Sequence, residues 1–171
     1  ILDTPVDIAD KTDAVELPPM RDKLELRCVQ FSYENEQVLK DINLQVAAGE
    51  IIAIVGVSGA GKSTLVDLIP RFYEVTEGAI RIDEIDIRDV SVASLRGQIG
   101  IVTQQTILFN DTVRNNIAYG DIRKNDEEII AATKAANAHD FVVKMEQGYD
   151  TIIGEQGVRL SGGERQRLCI A

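Results

Sequence analysis

Basic residues are in short supply. The chain has 18 Lys and Arg against 28 Asp and Glu, a formal net charge of −10. A surface of that sign offers nucleic acid no bulk attraction. No local patch compensates, because Lys and Arg are scattered apart from Arg165 and Arg167 near the end. Cysteine is equally sparse. Cys28 and Cys169 form no C-x-x-C pattern, and they read as buried thiols of a reducing compartment, not as a disulfide framework. His139 is the single histidine and has no metal-ligand spacing with other residues, so it reads as a surface or helix-end residue. No apolar run approaches the ~18 residues of a membrane span, and no signal peptide is evident. The chain opens on Ile1, not Met, and both ends read as cuts within a longer protein.

What is present is ordinary globular composition: 171 residues, 44% apolar and 27% charged, enough for a domain with a real core. Residues 1–22 hold Pro5, Pro18 and Pro19 among acidic side chains without a sustained apolar period. They read as a linker and not as a core element. From Leu24 the pattern changes. "LELRCVQFSY" and "INLQV" alternate apolar and polar residues, as half-buried strands do, with "ENEQ" as the turn between them. "IIAIV", Ile51 to Val55, is continuously apolar, which predicts a strand covered on both faces. "GAIRID" and "QIGIVT" are further strand candidates, and "NDEEIIAATKAANAHDFV" predicts a helix with Asp126 as its cap and Glu127 and Glu128 in its first turn.

Between the "IIAIV" strand and the helix of "LVDLI" lies "GVSGAGKS", which fits G-x-x-x-x-G-K-[ST] without a mismatch. Gly56, Gly59 and Gly61 let the backbone turn where a Cβ would clash. The amides of the loop, through Val57, Ser58, Ala60 and on to Thr64, then converge as an anion cradle. The helix beginning near Lys62 adds the positive end of its dipole. Lys62 brings a full charge to the β- and γ-phosphates, and Ser63 supplies a hydroxyl to Mg²⁺. This pattern predicts binding of a nucleoside triphosphate. The acidic net charge does not oppose it, since the site supplies its own field over a few ångströms.

A second phosphate-facing element ends the chain. In "LSGGERQRLCIA", Ser161 and Glu164 have capping-box spacing. Gly162 and Gly163 keep the first turn of the predicted helix bare, so its N-terminus can touch a phosphate.

A phosphate loop followed late in the chain by L-S-G-G-[QE] resembles the ATP-binding cassette of ABC transporters, from Leu24 to Ala171. The resemblance implies an α/β fold: a P-loop NTPase core with an antiparallel β subdomain before it and a helical subdomain after Gln104, truncated at its C-terminus. Residues 1–22 would then be a linker from a membrane domain, and 23–171 an incomplete ATP-binding domain. Tyr33 matches the aromatic residue that stacks on adenine, and Gln104 the Q-loop glutamine that touches Mg²⁺ and the attacking water. Glu155 in "GEQG" matches an acidic position typical of exporters. "PRFYEVTEGAIRIDEIDI" and "LFNDTVRNNIAYG" look most like bacterial lipid and multidrug exporters, the lipid A flippase group in particular.

In that family two cassettes face each other head to tail. Leu160, Ser161, Gly162, Gly163 and Glu164 would therefore meet ATP held by a partner cassette. Glu164 departs from the commoner Gln, a change exporters often tolerate. The implied partners are a second cassette, as homo- or heterodimer, and the transmembrane domain of the same chain. The implied place is the cytoplasmic face of the inner membrane, and the implied work is export of a lipid or hydrophobic compound driven by ATP. The segment from Thr106 to Tyr119 resembles the surface that meets the intracellular helices of the membrane domain.

The family's Asp-Glu strand and switch His have no counterpart in this sequence. The chain alone is accordingly expected not to hydrolyse ATP at a normal rate, and Ile51 to Val55 are expected to lie at an uncovered edge. Two rivals stand beside this reading. A P-loop GTPase would carry N-K-x-D, which is absent, and a small-molecule kinase would lack L-S-G-G-E. A non-catalytic nucleotide-binding module is the other.

Overall fold

The computed structural model describes residues 8–103, 107–121, 123–158 and 160–171. They fall into two units, Ile1–Gly100 and Ile101–Ala171.

The first unit is organised by four antiparallel strands: β1 (Lys23–Tyr33), β2 (Glu36–Ala47), β3 (Glu77–Ile82) and β4 (Ile85–Asp86), in the order β2-β1-β3-β4. The predicted antiparallel subdomain is there, but β3 and β4, which follow the phosphate loop in sequence, complete its sheet. The hairpin between β1 and β2 turns on Glu34 and Asn35 alone, so the second half of "ENEQ" already belongs to β2. Two further elements lie on this unit, α1 (Lys62–Leu68) and α2 (Val92–Arg96). Leu65 and Leu68 of α1 and Leu95 of α2 join Leu26, Val29, Phe31, Leu39, Ile80 and Ile82 in one apolar core.

Strict alternation along β1 would bury Leu24, Leu26, Cys28 and Gln30. The structure inserts a bulge instead. Register with β2 and with β3 shifts after Leu26 and Arg27, and Cys28 takes φ 48°. One extra residue reverses the inward face, so Val29 and Phe31 are buried and Cys28, expected inside, is exposed. The Oδ1 of Asn43 accepts the Cys28 amide at 2.8 Å and holds the bulge. Across β3, Gly78 packs directly on the bulge. It has φ +82°, and a Cβ there would lie 2.4 Å from the carbonyl oxygens of Arg27 and Cys28.

Two expected strands are absent. Ile51 to Val55 are not a strand covered on both faces. No described strand pairs with them, and Ile51 and Val55 are 96% and 88% exposed, the uncovered state expected of a run without a neighbour. Residues 98–103 are likewise not a strand.

Residues 8–22, read as a linker outside the core, are attached to it. Leu17 is buried in the core cluster. Val15 bridges Val90, and the Leu17 amide donates to Ser94 Oγ at 2.9 Å. The Asp83 carboxylate accepts the amides of Arg21, Asp22 and Lys23 at 2.6, 2.9 and 2.9 Å. The sequence pattern missed this because the anchors are single residues without a period.

The second unit is helical: α3 (Val113–Ile117), α4 (Asp126–Ala135), α5 (His139–Val142) and α6 (Gly162–Ile170). They enclose Leu108, Val113, Ala138, Val142, Ile153, Leu160 and Leu168. The long predicted helix is two helices, interrupted where Asn137 adopts φ 54°, a left-handed turn that Asn tolerates. Its cap is Asn125, not Asp126. Asn125 and Glu128 form a full capping box, and Asp126 pairs with Arg114. His139 opens α5, and its Nδ1 is 2.9 Å from the Tyr149 hydroxyl. That hydroxyl in turn is 2.6 Å from Oγ1 of the fully buried Thr133.

Two predictions follow from the sheet. Gly78→Ala is expected to destabilise the first unit by about 2 kcal/mol or more, since left-handed strain and a backbone clash add; denaturant unfolding measures it. Asp83 is held below its ordinary value by the amides of Lys23, Arg21 and Asp22. A depressed carboxyl contributes stability that is complete above the unfolded-state value of 3.8 and disappears as pH falls through the lower folded value. Asp83→Asn is therefore expected to melt lower at pH 7 and to lose less on acidification below pH 4 than the parent, in thermal scans across that range.

Candidate nucleotide-binding site

The loop between Gly56 and Ser63 leads into α1, and two of its glycines have a backbone reason. Gly59 has φ +80° and Gly61 φ +82°. Gly61 also lies against β2, where a Cβ would stand 2.8 Å from Leu39 Cδ2 and 3.1 Å from Val38 Cγ1. The left-handed φ together with that approach favours glycine. Gly56 has no positive φ, and a Cβ there meets Ala60 at an ordinary 3.4 Å.

Gly61 is also the N-cap of α1, and it makes no side-chain cap. A helix N-terminus has amides without intrahelical partners. With glycine at the cap and no acidic residue in the first turn, these amides have no carboxylate of their own to satisfy them. They are set to receive an anion. The Lys62 ammonium donates to the carbonyls of Gly56 and Val57 at 2.9 and 2.8 Å. Two of its three N–H groups thus brace the loop, and its charge stands at the loop's rim.

The loop borders an open cavity of about 360 Å³, lined by Tyr33, Val38 and residues 58–64. Tyr33 and the phosphate loop, far apart in sequence, therefore share one hollow. Tyr33 closes β1, is 39% exposed, and its hydroxyl is 3.4 Å from Thr64 Oγ1. Its ring meets Phe31 and Tyr73 at right angles, with centroids 4.7 and 5.2 Å away. Neither neighbour lies flat upon it. Val38 was not legible in the sequence as part of the site; it is an ordinary strand valine until the β2–Gly61 contact places it there.

No carboxylate lines the cavity, and no cluster of His, Cys, Asp and Glu among the described residues is set to hold a metal ion. Ser63 is the metal-ligating candidate that the structure describes. Gln104, the other, lies outside the described residues.

The "LSGGE" stretch belongs to the second unit. Ser161 caps α6, and Glu164 completes the box: its Oε2 accepts the Ser161 amide at 2.7 Å and the Ser161 hydroxyl at 2.6 Å, while Ser161 Oγ accepts the Glu164 amide at 3.3 Å. These bonds from Ser161 hold the Glu164 carboxyl below its ordinary range. Leu160 is buried, and its carbonyl accepts from Arg165 Nη1 at 2.7 Å. Gly162 and Gly163 differ from Gly61. Neither has positive φ, and an added Cβ would meet only the tips of Arg165 and Arg167 at 3.9 and 3.6 Å. Glu155 begins a short 3-10 turn, Glu155–Gly157, ending in a left-handed Gly157 that packs on Leu108.

Known proteins resemble this chain in sequence and fold. Residues 39–171 match the family model described as ABC transporter. The chain is 63% identical over its full length to an ATP-dependent lipid A-core flippase of Syntrophus aciditrophicus, of which it covers 28%. It is 52% identical over 95% of its length to a putative multidrug export ATP-binding/permease protein of Bacillus subtilis, again covering 28% of that protein. A solved structure of a bacterial Atm1-family ABC exporter with ATP bound superposes with a TM-score of 0.92 at 46% identity, over 99% of this chain and 30% of the other. The chain thus spans less than a third of the length of these relatives. The GTPase and kinase alternatives find no support among them. From phosphate loop to capped signature helix, this chain belongs to the ABC transporter family and carries its nucleotide-binding fold.

Proposed function

We propose that this chain is the ATP-binding portion of an ABC exporter, and that in the full-length protein ATP binding and hydrolysis drive export of a lipid or other hydrophobic compound. The observation that carries the nucleotide assignment is the shared hollow. One end presents uncapped α1 amides and Lys62, and the other presents the ring of Tyr33. A triphosphate lies along residues 56–64 and the base stacks on Tyr33. The relatives' names, flippase and export permease, support the transported class and a place at the cytoplasmic face of the inner membrane. A transmembrane domain of the same protein and a second cassette are the partners. The acidic charge favours neither DNA nor RNA.

Mg²⁺ fits this site as an ion that arrives with the nucleotide. Magnesium keeps several waters and takes phosphate oxygens with few protein ligands. The Ser63 hydroxyl and Gln104 are the candidates, and the cavity has no carboxylate cage that would select calcium. When bound, the ion neutralises charge on the phosphates.

The signature glycines support a partner in trans. Among the described residues of their unit nothing requires Gly162 or Gly163 to be glycine, and glycine weakens a helix. Their bareness is explained by something that approaches from outside, which we assign to the ATP of a partner cassette.

Two measurements test this. In the full-length protein, Lys62→Ala is expected to weaken ATP binding tenfold or more, the scale of a lost charge-assisted hydrogen bond, and to abolish turnover. Unchanged affinity in a titration would overturn the site. Gly163→Ala is expected to act in opposite directions on two readouts. It stabilises α6 by about 0.5–1 kcal/mol through helix propensity, while ATP turnover of the full-length protein falls. A variant that is both more stable and fully active would sink the role of the signature.

A further inference from the structure

Tyr33 stands at the end of β1, next to the Glu34–Asn35 turn. A ring at a hairpin tip swings with the tip unless something outside the hairpin holds it. Phe31 is a neighbour on the same strand and moves with it. Tyr73 comes from elsewhere. Its ring is 5.2 Å from that of Tyr33 at 89° and 5.6 Å from that of Phe31 at 54°, which closes a three-ring cluster. The segment that carries it, just past the end of α1, is unusually well fixed.

Arg71 is only 3% exposed and adopts φ 53°, which reverses the chain after the helix. Its Nε donates to Glu74 Oε1 at 3.0 Å and its Nη1 to the Ile87 carbonyl at 3.2 Å. Arg96 of α2 donates from Nε to the Pro70 carbonyl at 2.9 Å and from Nη2 to the Arg71 carbonyl at 2.7 Å, and its guanidinium lies 5.1 Å from the Phe72 ring centroid. On the far side, the Thr76 amide donates to the Gln30 carbonyl at 2.9 Å, and the Ser32 amide to Thr76 Oγ1 at 3.2 Å. Tyr73 is therefore the tip of a strut clamped to α1, α2 and β1, and that tip touches the ring of Tyr33.

From this geometry we infer that Tyr73 is a positioning residue for the nucleotide base: it fixes the plane of Tyr33 and ties the base end of the site to the exit of the helix whose N-terminus holds the phosphates. The inference rests on the reading of Tyr33 as the base-stacking ring and goes beyond it. A perpendicular aromatic pair restrains orientation, and pre-set orientation is what a stacking ring contributes to affinity. The hydroxyl contact of Tyr33 with Thr64 ties the same ring to the first turns of α1. One helix is thus linked to it at both ends.

The test uses the full-length protein and two probes, ATP and inorganic tripolyphosphate, which has the phosphate chain but no base, each measured by calorimetric titration. Tyr73→Leu keeps apolar bulk and removes the ring; Tyr73→Phe keeps the ring; Tyr33→Ala is the reference. Tyr73→Leu is expected to weaken ATP about three- to tenfold, the scale of one aromatic pair, with tripolyphosphate unchanged within about twofold and with ATP affinity restored in Tyr73→Phe. Two results overturn the inference alone, provided that Tyr33→Ala weakens ATP. One is parent-like ATP affinity in Tyr73→Leu. The other is a parallel loss of both probes, which marks a merely structural residue. Parent-like ATP affinity in Tyr33→Ala would remove the base-stacking reading itself and this inference with it.

Discussion

The approach of Gly61 to β2 is the constraint on which the site depends. The backbone at the start of α1 lies so close to β2 that a Cβ on Gly61 would stand 2.8 Å from Leu39 Cδ2 and 3.1 Å from Val38 Cγ1. At that contact Gly61 takes the left-handed φ of +82°. It also leaves the cap position without a side chain that could occupy the first amides. A larger residue would be strained by the left-handed φ and, if it were Ser or Asp, would satisfy the donors that an anion needs. Close packing and an unsatisfied helix end are here one feature seen from two sides. Val38 belongs to both, since it touches Gly61 and lines the cavity.

The rest of the first unit keeps that contact in register. The bulge at Cys28 brings Val29 and Phe31 inward, and Phe31 is the neighbour of Tyr33. Gly78 and Asn43 hold the bulge from two sides. Asp83 gathers three successive amides at the start of β1. The hollow is a surface feature, but Tyr33 in its lining packs on the buried Phe31.

Features with a fixed local spacing were legible in the sequence. The loop from Gly56 to Ser63, the capping box of Ser161 and Glu164, and the strands around Leu26, Leu44 and Ile80 all follow from patterns a few residues long. Where the sequence misled, a non-local term decided. The apolar run from Ile51 to Val55 predicts a buried strand, but a strand exists only through its neighbours, and none of the described residues pairs with it. Cys28 belonged inside by alternation until one inserted residue reversed the face. Leu17 looked like linker because a lone anchor has no period. Asn125, and not Asp126, is the cap, through its reciprocal box with Glu128, while Asp126 pairs with Arg114. Tyr73 and Val38 carry no motif and enter the site only once the chain is folded.

The two glycine-marked helix ends are opposites in one respect. At α6 two amides are already answered and a carboxylate is at hand: Glu164 Oε2 accepts the Ser161 amide and hydroxyl, and Ser161 Oγ accepts the Glu164 amide. At α1 the corresponding groups have no such occupant. A nucleotide in free solution would therefore be drawn to the second arrangement and find little hold on the first. In the proposed assembly loading would then have a direction: the cradle fills alone, and the partly capped turn adds its grip only when the anion is delivered to it already held.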